Sequence, residues 1–159
     1  MGSKPIQQES ELFNRYKNNP VLTPSMWPYK VNSVFNAGAT TFEGKVLLLV
    51  RIEEMRGFSH LCRAESSDGY SNWKIDEVPT LQPKPDDFPE EIYGIEDPRI
   101  VKLEDEGKYA VVYTSFSESG PLVSLATTED FKSFRRFGVV MTPDDKDASL
   151  FPRKFNGRY

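Results

Sequence analysis

The sequence is poor in the residues that mark metal, redox and secreted proteins. Among 159 residues there is one cysteine, Cys62, and one histidine, His60. A lone cysteine excludes an internal disulfide, and without a CxxC or Cys/His spacing no zinc ligand set exists. No metal and no cofactor are therefore expected. Long apolar runs are missing too: Met1–Ser10 has no hydrophobic signal region, and nothing later approaches a membrane span. A cytoplasmic protein without membrane contact is the expectation. The net charge of -4 leaves no basic footprint for nucleic acid. A neutral or phosphorylated sugar remains compatible, provided basic residues cluster locally.

Also scarce is any long 3.6-residue periodicity. Residues 1–18 read as a polar leader followed by a short helix from Ser10, with Leu12, Phe13 and Tyr16 on one side and a stop before Pro20. From residue 19 to 159 the pattern is β: 11 of the 12 prolines, aromatics and β-branched runs set between turn signals. Cys62, inside one such run, reads as a small buried filler rather than a reactive thiol.

An internal repeat organises this region. Gly44–Val50 opens a unit that continues through Leu61–Ser66 and Asp68-Gly69 to Trp73. Gly107–Tyr113 opens a second, running through Val123–Thr128 and Asp130-Phe131 to Phe134. Each has a turn, an apolar strand, a second strand, a Ser/Thr-Asp turn and an aromatic closing a third strand. Asn156–Tyr159 begins a third copy. Repeated antiparallel units with one aromatic apiece predict propeller blades, with a β-sandwich of similar hairpins as the alternative. At roughly 40–50 residues per blade the chain supplies two to three, fewer than a closed ring needs. The expectation is an incomplete propeller that self-associates or belongs with further blades.

Ligands of a propeller gather at its axis, so polar residues on the innermost strands are the first candidates. These are Asn36 and Arg51 in the first unit; Glu96, Asp97 and Arg99 in the second; Arg153 and Lys154 in the third. Asp97 precedes Pro98 and so also suits a simple turn. As an acid it has merit because Tyr93, Ile95 and Ile100 would desolvate it and raise its pKa. Direct pairing with Arg99 would oppose this by roughly 4 kcal/mol at 4 Å, about three pKa units. Arg51, Arg153 and Lys154 together suit an anion, or are separate surface cations. Tyr93 suits stacking against a sugar, and His60 is left without a role. The Asp68-Gly69 and Thr127–Asp130 stretches read as turn chemistry, and Trp73 and Phe134 as core.

At these positions the chain resembles glycoside hydrolase family 130, the β-mannoside phosphorylases. The resemblance rests on Asn19–Leu22, Phe35–Ala39, Leu47–Glu53, Ala64–Gly69, Gly94-Ile95-Glu96-Asp97-Pro98-Arg99-Ile100 and Leu150–Lys154. It implies a five-bladed propeller that cleaves a β-mannosidic bond with inorganic phosphate and inverts the anomeric centre. In that scheme Asp97 is the proton donor, Asn36 and Arg51 hold the mannosyl unit, and Lys154 belongs to the phosphate site. Glu96, Arg99 and Tyr93 complete the sugar site, and Arg153 accompanies Lys154. Phosphate brings its own nucleophilic oxygen, so an acid and a cationic cradle suffice. The loop Ser115–Gly120 lacks an arginine that some family phosphorylases place there, and Arg135 or Arg136 would have to compensate. A β-mannoside hydrolase of the same family and an inactive or sugar-binding fragment are the alternatives.

Overall fold

The computed structural model describes residues 12–141, 143 and 145–159. Eight strands form two four-stranded antiparallel sheets, each a meander in sequence order. The first contains β1 (Ser33–Phe42), β2 (Lys45–Glu53), β3 (Ser59–Ser66) and β4 (Lys74–Ile75). The second contains β5 (Ile95–Leu103), β6 (Lys108–Ser117), β7 (Gly120–Thr128) and β8 (Arg135–Val139). The fold is all-β, and the sheets are two successive propeller blades.

The repeat is wider than 40–50 residues because a long connector, residues 76–94, joins β4 to β5. Two blades therefore occupy most of the chain. The third copy is visible as a turn at Asn156-Gly157 closed by pairing of Phe155 with Arg158. Of the helix expected near the N-terminus, residues 1–11 lie outside the described residues, and residues 12–19 form bends and a turn instead. Leu12 and Phe13 are 86% and 82% exposed. A helix this short needs an apolar face packed on something, and of the expected face only Tyr16 finds a partner, the ring of Tyr70.

Strand alternation sorts the apolar residues into two layers. Leu47, Leu49 and Leu61 face the second blade and meet Ile95, Tyr109, Val111, Tyr113 and Phe131. Val50, Ile52, Cys62 and Ala64 face the opposite way and are covered by Trp27, with Tyr29 and Trp73 packed alongside. The run Leu47–Val50 is thus apolar on both sides because both are buried. Cys62 is wholly buried, and burial pushes its thiol pKa up. Trp73 and Phe134, each just before the outermost strand of its blade, pack on these cores.

The Ser/Thr-Asp turns have the same construction twice. Ser66 Oγ accepts from the amides of Asp68 and Gly69, and Thr128 Oγ1 from those of Asp130 and Phe131. Asp68 and Asp130 each accept two further backbone amides.

Candidate active site

Both innermost strands carry a bulge at the same height. In β1 the register breaks between Val34 and Ala37, leaving Phe35-Asn36 opposite Arg51. In β5 it breaks between Glu96 and Arg99, leaving Asp97-Pro98 opposite Tyr113. A bulge adds one residue and redirects the side chains around it. Pro98 suits this position because a bulged residue need not donate to the ladder. Asp97 takes φ +49, a left-handed conformation that aspartate tolerates better than most residues.

Two glycines let the blades approach closely enough for the bulges to meet. A Cβ on Gly38 of β1 would stand 2.9 Å from the carbonyl oxygen of Pro98. A Cβ on Gly94, just before β5, would stand 2.7 Å from the amide nitrogen of Ser59. Gly94 pairs with Ser59 as a parallel bridge, which docks the start of β5 against β3.

Arg51 joins the two blades across this seam. Its Nη1 lies 2.9 Å from Asp97 Oδ1 and its Nη2 lies 2.9 Å from Glu96 Oε1. Its Nε donates to Ser59 Oγ at 3.1 Å, and its guanidinium lies 4.7 Å from the Phe35 ring centre. The three charged side chains are largely buried, at 11–18% exposure. On the solvent side Lys146 Nζ reaches Asp97 Oδ2 at 3.4 Å.

This arrangement corrects the expected acidity of Asp97. Burial does push its proton affinity up, but Arg51, Asn36 and Lys146 all favour the carboxylate, and the net shift is downward. Glu96 moves the other way: burial raises its pKa, and Arg51 offsets this only in part. The difference lies in partner number. Asp97 is hydrogen-bonded by Arg51 and Asn36 and faces Lys146, whereas Glu96 feels Arg51 and Lys146 through charge alone and also faces the charges of Asp97 and Glu53. Asp97 is therefore the more acidic of the two carboxyls.

Arg99 is not the residue that pairs with Asp97. Its guanidinium donates to the carbonyls of Asp97 and Pro98 and lies 3.7 Å from Asp147. Tyr93 sits between Phe58 and Phe116, and its hydroxyl donates to Glu118. Asn36 is exposed beside the carboxylate.

The third expected cluster is not brought to this site. Lys154 Nζ pairs with Glu106 at 3.0 Å, at the β5–β6 turn and so at the opposite end of β5 from Asp97. Arg153 stacks on Phe155. The physical reason is local: among the described residues beyond β8 the pairing is a one-bridge hairpin, and Glu106 accepts the Lys154 ammonium there. Arg136 does not compensate as an anion-binding cation either, because it is paired with buried Glu91. Arg135 lies over the Phe137 ring. Lys146, which does reach Asp97, was missed by sequence reading. Its one signal was being a lone cation in an acidic stretch, Asp144–Asp147.

Residues 7–159 match the sequence profile of glycoside hydrolase family 130, described as beta-1,4-mannooligosaccharide phosphorylase. The chain belongs to family 130. It is 29% identical to the beta-1,2-mannobiose phosphorylase of Listeria innocua, over 91% of this chain and 56% of that protein. It is 33% identical to the 1,2-beta-oligomannan phosphorylase of a Thermoanaerobacter species, over 91% of this chain and 51% of that one. The solved Listeria innocua enzyme, in complex with beta-1,2-mannobiose, superposes with a TM-score of 0.77 at 25% identity, over 90% of this chain and 55% of that structure. Another family 130 structure, from work on hydrolases that target beta-1,2 mannosidic linkages in Candida mannan, gives 0.70 at 27% identity over 82% of this chain and 42% of its own. The chain spans about half the length of the curated relatives it matches.

Proposed function

We propose that this family 130 protein acts in inverting phosphorolysis of β-mannosides, releasing α-mannose 1-phosphate, with Asp97 as proton donor. The observation that carries the reading is the fork of Arg51, which holds Glu96 and Asp97 together where two bulged innermost strands meet. The curated relatives supply the substrate class, since each is a mannoside phosphorylase. Inorganic phosphate is the co-substrate in this reading, and no cofactor is required. A cytoplasmic setting goes with it, because a bilayer retains a charged sugar phosphate.

The chemistry follows from competition for Arg51. While Arg51 and Lys146 hold Asp97, it is a carboxylate and cannot give a proton. A mannosyl unit offering hydroxyls to Arg51 and Asn36 would draw the guanidinium away and exclude water. Burial, already the largest influence on Asp97, would then prevail and raise its proton affinity. The acid is armed by the substrate. Phosphate needs no base to activate it, so attack on the anomeric carbon can proceed from the opposite face.

A hydrolase of the same family would use a second carboxylate to activate water, across a gap of roughly 6.5–9.5 Å. Glu96 is the carboxylate at hand, but it is adjacent to Asp97 in sequence and paired with the same guanidinium, so the two stand side by side and not on opposite faces of a sugar ring. This favours phosphorolysis. The test is product analysis of a β-mannoside panel with and without inorganic phosphate. Mannose 1-phosphate formed only with phosphate is the expected result. Release of free mannose at an unchanged rate without phosphate would establish the hydrolase instead.

A further inference from the structure

His60, the only histidine, takes no part in the chemistry above, yet it lines a recess of about 490 Å³ on the other face of the same strands. Arg51 and Ser59 face the second blade, whereas Ile52 and His60 face away from it. The recess has a lining that includes Tyr29, Lys30, Glu54, Arg56, Phe58 and His60, and it is closed by prolines of the connector. We propose that it is a second carbohydrate subsite, taking a neutral pyranose unit of an oligosaccharide whose other end occupies the Arg51–Asp97 site.

Several features support this. His60 is 8% exposed, and its Nε2 is 2.9 Å from the Tyr29 hydroxyl. Its Nδ1 has no hydrogen-bond partner among the described residues, so a sugar hydroxyl entering the recess can bond it. Burial lowers the pKa of the imidazole, so it is neutral at physiological pH and able both to donate and accept. The wall combines aromatic rings with polar groups, the composition that binds the faces and hydroxyls of a pyranose.

Glu54 is paired to Arg56 on the rim and Lys30 also lines the recess, so the lining has no net negative charge to repel a hydroxyl-rich neutral ligand. Finally, a row of rings connects the recess to the candidate active site. Phe58 on its wall lies 5.9 Å from Tyr93, and Tyr93 lies 6.0 Å from Phe116, across the end of the blades where Glu96 and Asp97 sit. A chain leaving the carboxylates over the β2–β3 hairpin would meet these rings and then the recess.

The ligand class rests on the reading under Proposed function; the site itself does not. The test is to follow the His60 imidazole and Arg51 Nε signals by NMR while β-mannotriose is added to the isotope-labelled protein. Saturable shifts at both are expected. The His60 response should persist in Arg51→Met or, if that variant is unfolded, in Asn36→Ala. It should weaken about five-fold or more in a Glu54→Ala/Arg56→Ala variant, whose changes lie on rim residues and remove polar contacts. Shifts at Arg51 with none at His60 would overturn the subsite and leave the proposed function standing. No shift at either would sink both. A His60 response that vanishes in a folded Arg51→Met or Asn36→Ala variant would show that the recess merely senses the first site, and that result also overturns the proposal.

Discussion

The carboxylate of Glu91, with no exposed surface, is paired with the guanidinium of Arg136 from the far edge of the second blade. Tyr113 donates to the same carboxylate at 2.7 Å, and the Lys84 amide at 2.9 Å. Arg136 also donates to the Gln82 carbonyl. The cluster thereby ties the inter-blade connector to strands β6 and β8. Removing one member leaves a buried charge without its partner, which typically costs about 3–5 kcal/mol. Glu91→Ala should lower the urea midpoint accordingly, with an Arg136→Met/Glu91→Leu double variant recovering part of the loss. Equal midpoints for Glu91→Ala and the parent would remove this cluster from any account of stability.

Glu96 and Asp97 compete for Arg51, so changing one should move the other. Glu96→Gln removes a like charge next to Asp97 and leaves the guanidinium undivided; both changes favour the Asp97 carboxylate. Its titration, followed through the side-chain carboxyl carbon, should move to lower pH than in the parent. The groups facing Asp97 are Arg51, Asn36, Glu96 and Lys146. Of these, Lys146→Met should move the titration the opposite way. A titration that stays put in both variants would mean the carboxylates are electrostatically independent.

Gly94 should tolerate no side chain. Its φ of +115 and the 2.7 Å gap from its would-be Cβ to the Ser59 amide nitrogen leave alanine both strained and clashing. Gly94→Ala is expected to cost roughly 2–3 kcal/mol and to disturb the Arg51–Asp97 pair, which depends on the same docking. A variant with unchanged denaturation midpoint would show that β3 and the connector can part without cost.

Much of this architecture could be read from the residues in order. The Ser/Thr-Asp turns were legible because their chemistry is local: a hydroxyl and a carboxylate satisfy amides within a few residues. The apolar runs of β2 and β6 were legible for the same reason. What escaped were facts that depend on distance across blades. The blade repeat was underestimated because the connector carrying Glu91 looks like loop, although it holds a buried ion pair. Arg51 and Asp97 were singled out separately, but no spacing predicts that a bulge in each strand would put them 2.9 Å apart. The expected rise in the pKa of Asp97 followed from counting apolar neighbours, and it reversed because the cations came from β2 and from Lys146. Lys154 was assigned by resemblance, and its contact with Glu106 has no sequence signature.

Acid should loosen the turns first. Backbone amides hold Asp130 down to a pKa of about 2, and Asp68, bonded mainly by Ser71, lies lower still. Both are depressed, so the stability they contribute is fully present above the ordinary aspartate value of 3.8 and is lost as pH falls towards 2. Exchange protection of the Lys132 and Ser133 amides should fall through this window. Asp130→Asn should flatten that dependence while retaining the turn. Protection that is constant from pH 4 to 2 would be incompatible with the carboxylate's role.

The paired bulges of β1 and β5 separate what the scaffold must keep from what it can vary. Hydrogen bonding resumes unaltered on either side of each, so the ladder is indifferent to which two residues are extruded. One blade uses that freedom for Phe35 and Asn36, the other for Asp97 and Pro98. A duplicated module can in this way acquire a reactive group in one copy and a ring and an amide in its neighbour. Specialisation then proceeds by substitution at a place that the hydrogen-bonded ladder leaves free.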